Sequence, residues 1–305
     1  MGQRLPDLLT LPRTAKLAGC SMPSRAHLAD DMARLGLEAG PFHLLLPSRS
    51  ECHIRGDVRC HRHREDLLQS RSLIRLSKSM LIVSPELLFL ELAATGEYDE
   101  IDLALIGFEL CGTYVLDESW DGFTNTSRPV ATRHRLMSMI NRSAHHRGVK
   151  LAARAARLVI DNSHSPMETV MAMLFCLPHR YGGMGFKGAV LNYKVETAEG
   201  SRWVDAAFPT NGFGLEYQGR RYHSQERVGR DARRQARLIG AGLTTVNVWY
   251  EDLADLHLFE QLARDVACAL GVRLRPERTK NFSQKRTLLR SRILPSLSLS
   301  SLDDM

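Results

Sequence analysis

At 305 residues, 44% hydrophobic and 25% charged, the chain has the composition of an ordinary globular protein and room for two domains. Its six cysteines are scattered with no CxxC pair, which excludes a disulfide scaffold, and the net charge of +7 is compatible with a polyanionic partner. No apolar run approaches the roughly 18–20 residues of a membrane span and no leader pattern is legible, so the expected compartment is the cytoplasm, with no membrane partner.

Residues 1–40 read as a helical lead-in. Phe42–Leu46, Val58–Arg64, Ser72–Leu76 and Met80–Val83 read as short strands, apolar or alternating and bounded by Ser, Gly and charge. Ser84-Pro85-Glu86 opens a helix, with serine at the N-cap and proline at the first helical position. Helical spacing follows over about 97–111, 132–145 and 149–160, and Trp120–Pro129 reads as a loop. Ser165-Pro166-Met167-Glu168 has capping-box spacing and starts a helix to about Leu177. Gly182, Gly183 and Gly185 are expected to form a flexible loop. Strands are expected at Ala189–Val195, Arg202–Phe208 and Gly214–Gly219, the last two joined by the turn Pro209-Thr210-Asn211-Gly212. A helix over Arg227–Ala241, a buried strand over Thr244–Trp249 and an amphipathic helix over about Leu253–Leu270 complete the pattern. The expected organisation is an α+β domain over 1–160, an α/β domain over 161–272 and a basic, partly disordered tail over 273–305.

Two acids stand out. Asp205 and Glu216 sit among apolar residues inside neighbouring strands, where an unpaired charge is costly. An antiparallel hairpin can bring them side by side, with Glu216 and Gln218 on one face and Val204 and Leu215 directed away into apolar packing. Two carboxylates suit Mg²⁺, or Mn²⁺, and a divalent cation is what hydrolysis of a phosphodiester at neutral pH calls for. A hydrogen-bonded structural pair is the alternative. Between Gly219 and Gly240, Arg220, Arg221, Arg227, Arg230, Arg233, Arg234 and Arg237 face only Glu226 and Asp231. That density suits phosphate contacts with DNA, RNA not being excluded, and otherwise a solvated helix face with Ala232, Leu238 and Ile239 toward the sheet. Cys52, His53, Cys60, His61 and His63 lack the paired spacing of a zinc site.

The ordered set Ser165-Pro166-Met167-Glu168-Thr169, Val204-Asp205, Glu216-Tyr217-Gln218-Gly219, His223, Arg230-Asp231 and Gly242 resembles the PD-(D/E)XK nuclease superfamily. The likeness is to its very-short-patch-repair endonuclease-like branch of bacterial proteins, over about 90–100 residues. The resemblance implies a restriction-endonuclease-like αβββαβ core. It also implies metal ligation by Asp205, Glu216 and the Tyr217 carbonyl, with Glu168 reaching the same site. His223 and Asp231 would stand behind the ligands or move protons. Gln218 occupies the position where that superfamily usually has lysine, and it cannot carry the positive charge that offsets a developing phosphorane. His43-Leu44-Leu45-Leu46-Pro47 and Ile82-Val83-Ser84-Pro85 more loosely resemble the domain preceding such modules in abortive-infection antitoxin-related proteins, where it would meet a partner protein. The expected function is a metal-dependent DNA endonuclease; the alternative is an inactive nucleic-acid-binding regulator on the same fold.

Overall fold

Ser24, Ser84 and Ser165 each have extended backbone before a helix, and each hydroxyl accepts the N–H of the residue three further on. These caps fix three of the helix starts in the computed structural model. It describes residues 8–17, 20–37, 40–47, 56–62, 68–117, 122–219 and 225–294, the side chains at 62, 117, 225–232 and 277 excepted.

In chain order the elements are β1 (Arg13–Thr14), α1 (Arg25–Arg34), β2 (Phe42–Leu46), β3 (Val58–Arg62), β4 (Leu73–Arg75) and β5 (Leu81–Val83). They continue with α2 (Pro85–Thr95), α3 (Glu100–Leu110), β6 (Tyr114–Asp117), β7 (Gly122–Asn125), α4 (Arg133–Arg142), α5 (Val149–Ala156) and α6 (Pro166–Cys176). Then come β8 (Val190–Thr197), β9 (Gly200–Phe208), β10 (Phe213–Gln218), α7 (Gln225–Gly240), β11 (Thr244–Trp249), α8 (Tyr250–Ala254), α9 (Leu256–Ala269) and α10 (Phe282–Ile293). The protein is mixed α/β. Among the described residues no helix is long and apolar enough to cross a membrane.

The chain forms two compact units that interleave: Met1–Asp99 with His134–Arg154, and Glu100–Arg133 with Ala155–Met305. The sequence suggested a single break near Asp161, but α3 and the β6–β7 pair belong with the second unit. The cause is local: α3 packs on α6, and the Tyr114 hydroxyl lies 3.0 Å from that of Thr169, buried on α6. The expected loop over Trp120–Pro129 is corrected at 122–125, because β7 pairs antiparallel with β6, Leu116 opposite Phe123.

The first unit holds the antiparallel sheet β1-β4-β5 and the separate parallel pair β2-β3. Leu17, Leu73 and Leu87 form a buried cluster beside the first of these.

In the second unit the sheet order is β11-β10-β9-β8; β8, β9 and β10 are antiparallel neighbours, and β11 runs parallel to β10. A helix connects β10 to β11, as a parallel neighbour requires. One face of the sheet carries Phe208 and Phe213, in ring contact through Phe186 with Phe175 of α6 and Phe259 of α9. The other carries Val195, Val204 and Ala207 against Leu238 and Leu243 at the end of α7. Ile239, expected to face the sheet, is 54% exposed, because the helix turns only Leu238 inward there.

Where the sequence suggested a flexible glycine loop, Gly182 and Gly183 are closely packed against backbone. Gly182 has φ +96°, and a Cβ on it would stand 2.5 Å from the Lys285 carbonyl oxygen of α10. A Cβ on Gly183 would stand 2.2 Å from the Leu177 carbonyl oxygen. Gly182→Ala is therefore expected to cost at least about 2 kcal/mol, read as a lower denaturation midpoint at unchanged slope.

The basic tail is corrected over 282–293, where α10 buries Phe282, Leu289 and Ile293. Its arginines are committed inside the unit. Arg286 lies 2.7 Å from Glu260, and Arg290 donates to the Ala254 carbonyl at 2.6 Å. The five described cysteines, Cys20, Cys60, Cys111, Cys176 and Cys268, are free thiols.

Candidate active site

The site begins with the cap of α6. Ser165 Oγ accepts the Glu168 N–H at 3.2 Å and donates to Glu168 Oε1 at 3.0 Å. Glu168 Oε2 accepts the His164 N–H at 2.8 Å and the Asn192 side-chain amide at 2.9 Å. The capping box is thus present, with the carboxylate reaching one residue further back than the usual arrangement. Glu168 is only 8% exposed, and burial raises its pKa against these hydrogen bonds, which lower it.

Asn192 bonds to Glu168 because β8 is irregular there. Its φ is +47°, and its amide also donates to the Asn162 carbonyl at 2.7 Å. Leu191 pairs with Ala206 and Tyr193 with Val204, so Asn192 stands across from Asp205. The pleat slips at this pair. Val204 and Ala207, three residues apart, both belong to the α7-side cluster, where strict alternation would put them on opposite faces. This overturns the expectation that Val204 points away from Glu216. Gly214 shares Glu216's parity, and a Cβ on it would stand 2.7 Å from Val204 Cγ1.

On β10 the last pairing with β9 is Leu215 to Ala206, so Glu216 and Asp205 are the next residues beyond it. There the strands stop pairing, and a side chain fills the gap: Asp205 Oδ2 accepts the Tyr217 N–H at 2.7 Å. Burial, and secondarily the Glu168 carboxylate, push the Asp205 pKa up to about 7, against the opposing pull of the Tyr217 hydrogen bond and of Arg234.

Glu216, 6% exposed, takes the Arg234 guanidinium of α7 at 3.0 Å. Arg234 also donates to the Trp203 carbonyl at 2.8 Å, so one cation spans β9 and β10 from the α7 side. Gln218 donates to Asn247 Oδ1 at 3.1 Å, and Asn247 is in register with Glu216 on the parallel neighbour β11. Asn192, Asp205, Glu216 and Asn247 thus stand at successive places across the sheet. No family model matches the chain, and no curated protein or solved structure matches it.

The other expected residues distribute unevenly. Arg233 is exposed on α7, whereas Arg237 pairs with Glu199 at 2.5 Å. Arg234 and Arg237, expected on nucleic-acid phosphates, both have carboxylate partners within the unit. His223, Arg220 and Arg221 lie outside the described residues, as do the side chains of Arg230 and Asp231. Among the described residues no group of three or more His, Cys, Asp or Glu is placed to hold a metal ion. Sequence reasoning missed Asn192 and Asn247. The signal for Asn192 was an asparagine inside an apolar strand pattern, a residue depleted from strands and tolerant of positive φ.

Proposed function

We propose that this chain is a metal-dependent endonuclease-like protein that hydrolyses DNA phosphodiesters on a restriction-endonuclease-like core. The supporting architecture is a helix, three antiparallel strands, a helix and a fourth strand parallel to the third. The observation that carries the proposal is Asp205, a half-buried carboxyl that accepts the Tyr217 N–H and is pushed to about 7 with a second acid, Glu168, adding to the shift. It adjoins Glu216 just beyond the last β9–β10 pair. Perturbed acids gathered this way are what a functional site produces, and an added cation would relieve them.

Mg²⁺ or Mn²⁺ fits these donors: both take oxygen ligands, and Mg²⁺ often binds through one or two carboxylates with water completing its shell. Asp205 and Glu216 would hold it, and Arg234 would have to release Glu216 in part. When bound, the cation supplies charge stabilisation at phosphorus and an activated water. Asp205, held near 7 without the cation, would give up its proton as the cation binds. Glu168 keeps α6 and Asn192 in place through its three hydrogen bonds and sets the charge that Asp205 experiences. Exposed Arg233, with the arginines of 220–230, would hold the phosphate backbone.

Supercoiled plasmid incubated with the purified chain and Mg²⁺ should be nicked or cut, EDTA should stop it, and Glu216→Ala should lower the rate at least about a hundredfold. Equal cleavage with EDTA, or by Glu216→Ala, refutes the proposal. Gln218 favours one second reading, a nucleic-acid-binding regulator, antitoxin-like, with its first unit meeting a partner protein. In that case DNA binding persists in EDTA, falls steeply with salt, and no cleavage occurs.

A further inference from the structure

A second polar centre lies inside the first unit. A cavity of about 270 Å³ is lined by Arg13, Arg71, Arg135 and Arg142, with Glu86, His134, Ser70 and Ser138 beside them. Arg13 lies 3.1 Å from Glu86, their side chains 6% and 5% exposed, and Arg135 meets the same carboxylate. Arg142 donates to Ser70 Oγ at 2.9 Å and to the Ser138 carbonyl at 3.2 Å. One carboxylate therefore faces four guanidinium groups.

Arg71 and Arg142 are exposed, whereas the Arg13 side chain is enclosed at 6% exposure. Arg13 Nε and Nη2 are buried without a hydrogen-bond partner. Leaving guanidinium N–H groups buried and unpaired is costly, so this arrangement is one that an acceptor stabilises. We propose that the cavity is a binding site for a phosphomonoester group, held by Arg13, Arg71, Arg135 and Arg142, with Glu86 fixing two of the four.

The chemistry selects this ligand. A phosphomonoester brings up to two negative charges and three acceptor oxygens, against three positive charges left after Glu86 is counted. Guanidinium forks match phosphate oxygens in bidentate geometry, which a lone carboxylate would use only in part. The volume falls just below the roughly 300–1,000 Å³ of sites that enclose drug-sized molecules, which suits a phosphoryl group and its first attached atoms. Desolvation lowers the Arg135 pKa and the Arg13 and Arg71 charges add to it, while the Glu86 carboxylate opposes them, so a second anion would offset what Glu86 alone does not.

Calorimetry on the full chain tests this with inorganic phosphate, adenosine 5′-monophosphate and adenosine. Phosphate and the monophosphate should bind and adenosine should not. Arg71→Ala, at an exposed position, should weaken binding about tenfold, the loss of one charge-assisted hydrogen bond. Arg13→Met combined with Glu86→Met removes the buried pair together, keeps the fold testable by circular dichroism, and should abolish binding. Anisotropy with a single-stranded oligonucleotide bearing a 5′-phosphate or a 5′-hydroxyl separates the sources. A preference for the phosphorylated end that Arg71→Ala removes assigns the site to nucleic-acid ends, and equal binding beside a bound monophosphate assigns it to a free small molecule. No binding of phosphate or the monophosphate, or equal binding by Arg71→Ala, overturns the site.

Discussion

Asp205→Asn is expected to end phosphodiester cleavage and, at pH 8 without a divalent cation, to make the chain more stable. Both effects come from one property. Burial, then Glu168, pushes Asp205 up to about 7, far above the roughly 3.9 of the same group in an unfolded chain. Below about pH 4 the carboxyl is neutral in both states and its stabilising contribution is fully present. As pH rises from there to 7, the unfolded chain releases its proton while the folded chain retains it, so stability falls, and above 7 the loss is complete. The loss is a few kcal/mol, since each pKa unit is worth about 1.4 kcal/mol. Asparagine keeps an oxygen for the Tyr217 N–H and carries no charge to desolvate. Urea unfolding of both proteins at pH 4.5, 6 and 8 should therefore give a difference that opens with pH in favour of the variant. Saturating Mg²⁺ should stabilise the wild type and leave the variant where it was. A pH-independent destabilisation by Asp205→Asn, or cleavage at the wild-type rate, contradicts this account.

The elements that define this site were legible because their signals are local. Ser165-Pro166-Met167-Glu168 states a helix start in four residues, and Pro209-Thr210-Asn211-Gly212 states the turn that brings β9 beside β10. The pleat slip at Asp205 and Asn192 was not legible. Alternation is the only face assignment a sequence offers, and it fails where a backbone with positive φ resets the phase. The partners of the arginines were hidden for a different reason. Arg234 and Glu216 are eighteen residues apart on elements whose packing is tertiary, so a run of charge on α7 looked like a surface. The tail failed similarly: arginine-rich composition suggested disorder, yet α10 buries Phe282, Leu289 and Ile293 while Arg286 and Arg290 find partners on neighbouring helices.

In the proposed nuclease, Gln218 leaves the site short of one positive charge, and Arg234 would supply it. Its guanidinium reaches Glu216, two residues before Gln218 on the same strand, from a helix on the Val204 face of the sheet. If it offsets charge developing on the phosphorane, Arg234→Ala should lower kcat about 10²–10³-fold with little change in KM. Its stability cost is set by Glu216: the carboxylate left behind is only 6% exposed, so losing this cation should cost on the order of 3 kcal/mol, and rates are compared on variant protein shown to be folded. Adding Gln218→Lys to Arg234→Ala returns a cation from the strand itself and should recover about tenfold or more of the lost rate. Two rival roles make different predictions. A plain phosphate contact would reduce the salt slope of DNA binding by about one and raise KM. A guanidinium that only blocks Glu216 would, once removed, increase Mg²⁺ affinity and the rate together. A rate that rises in Arg234→Ala thus eliminates the charge-supplying role, and a rate that falls and is restored by Gln218→Lys establishes it.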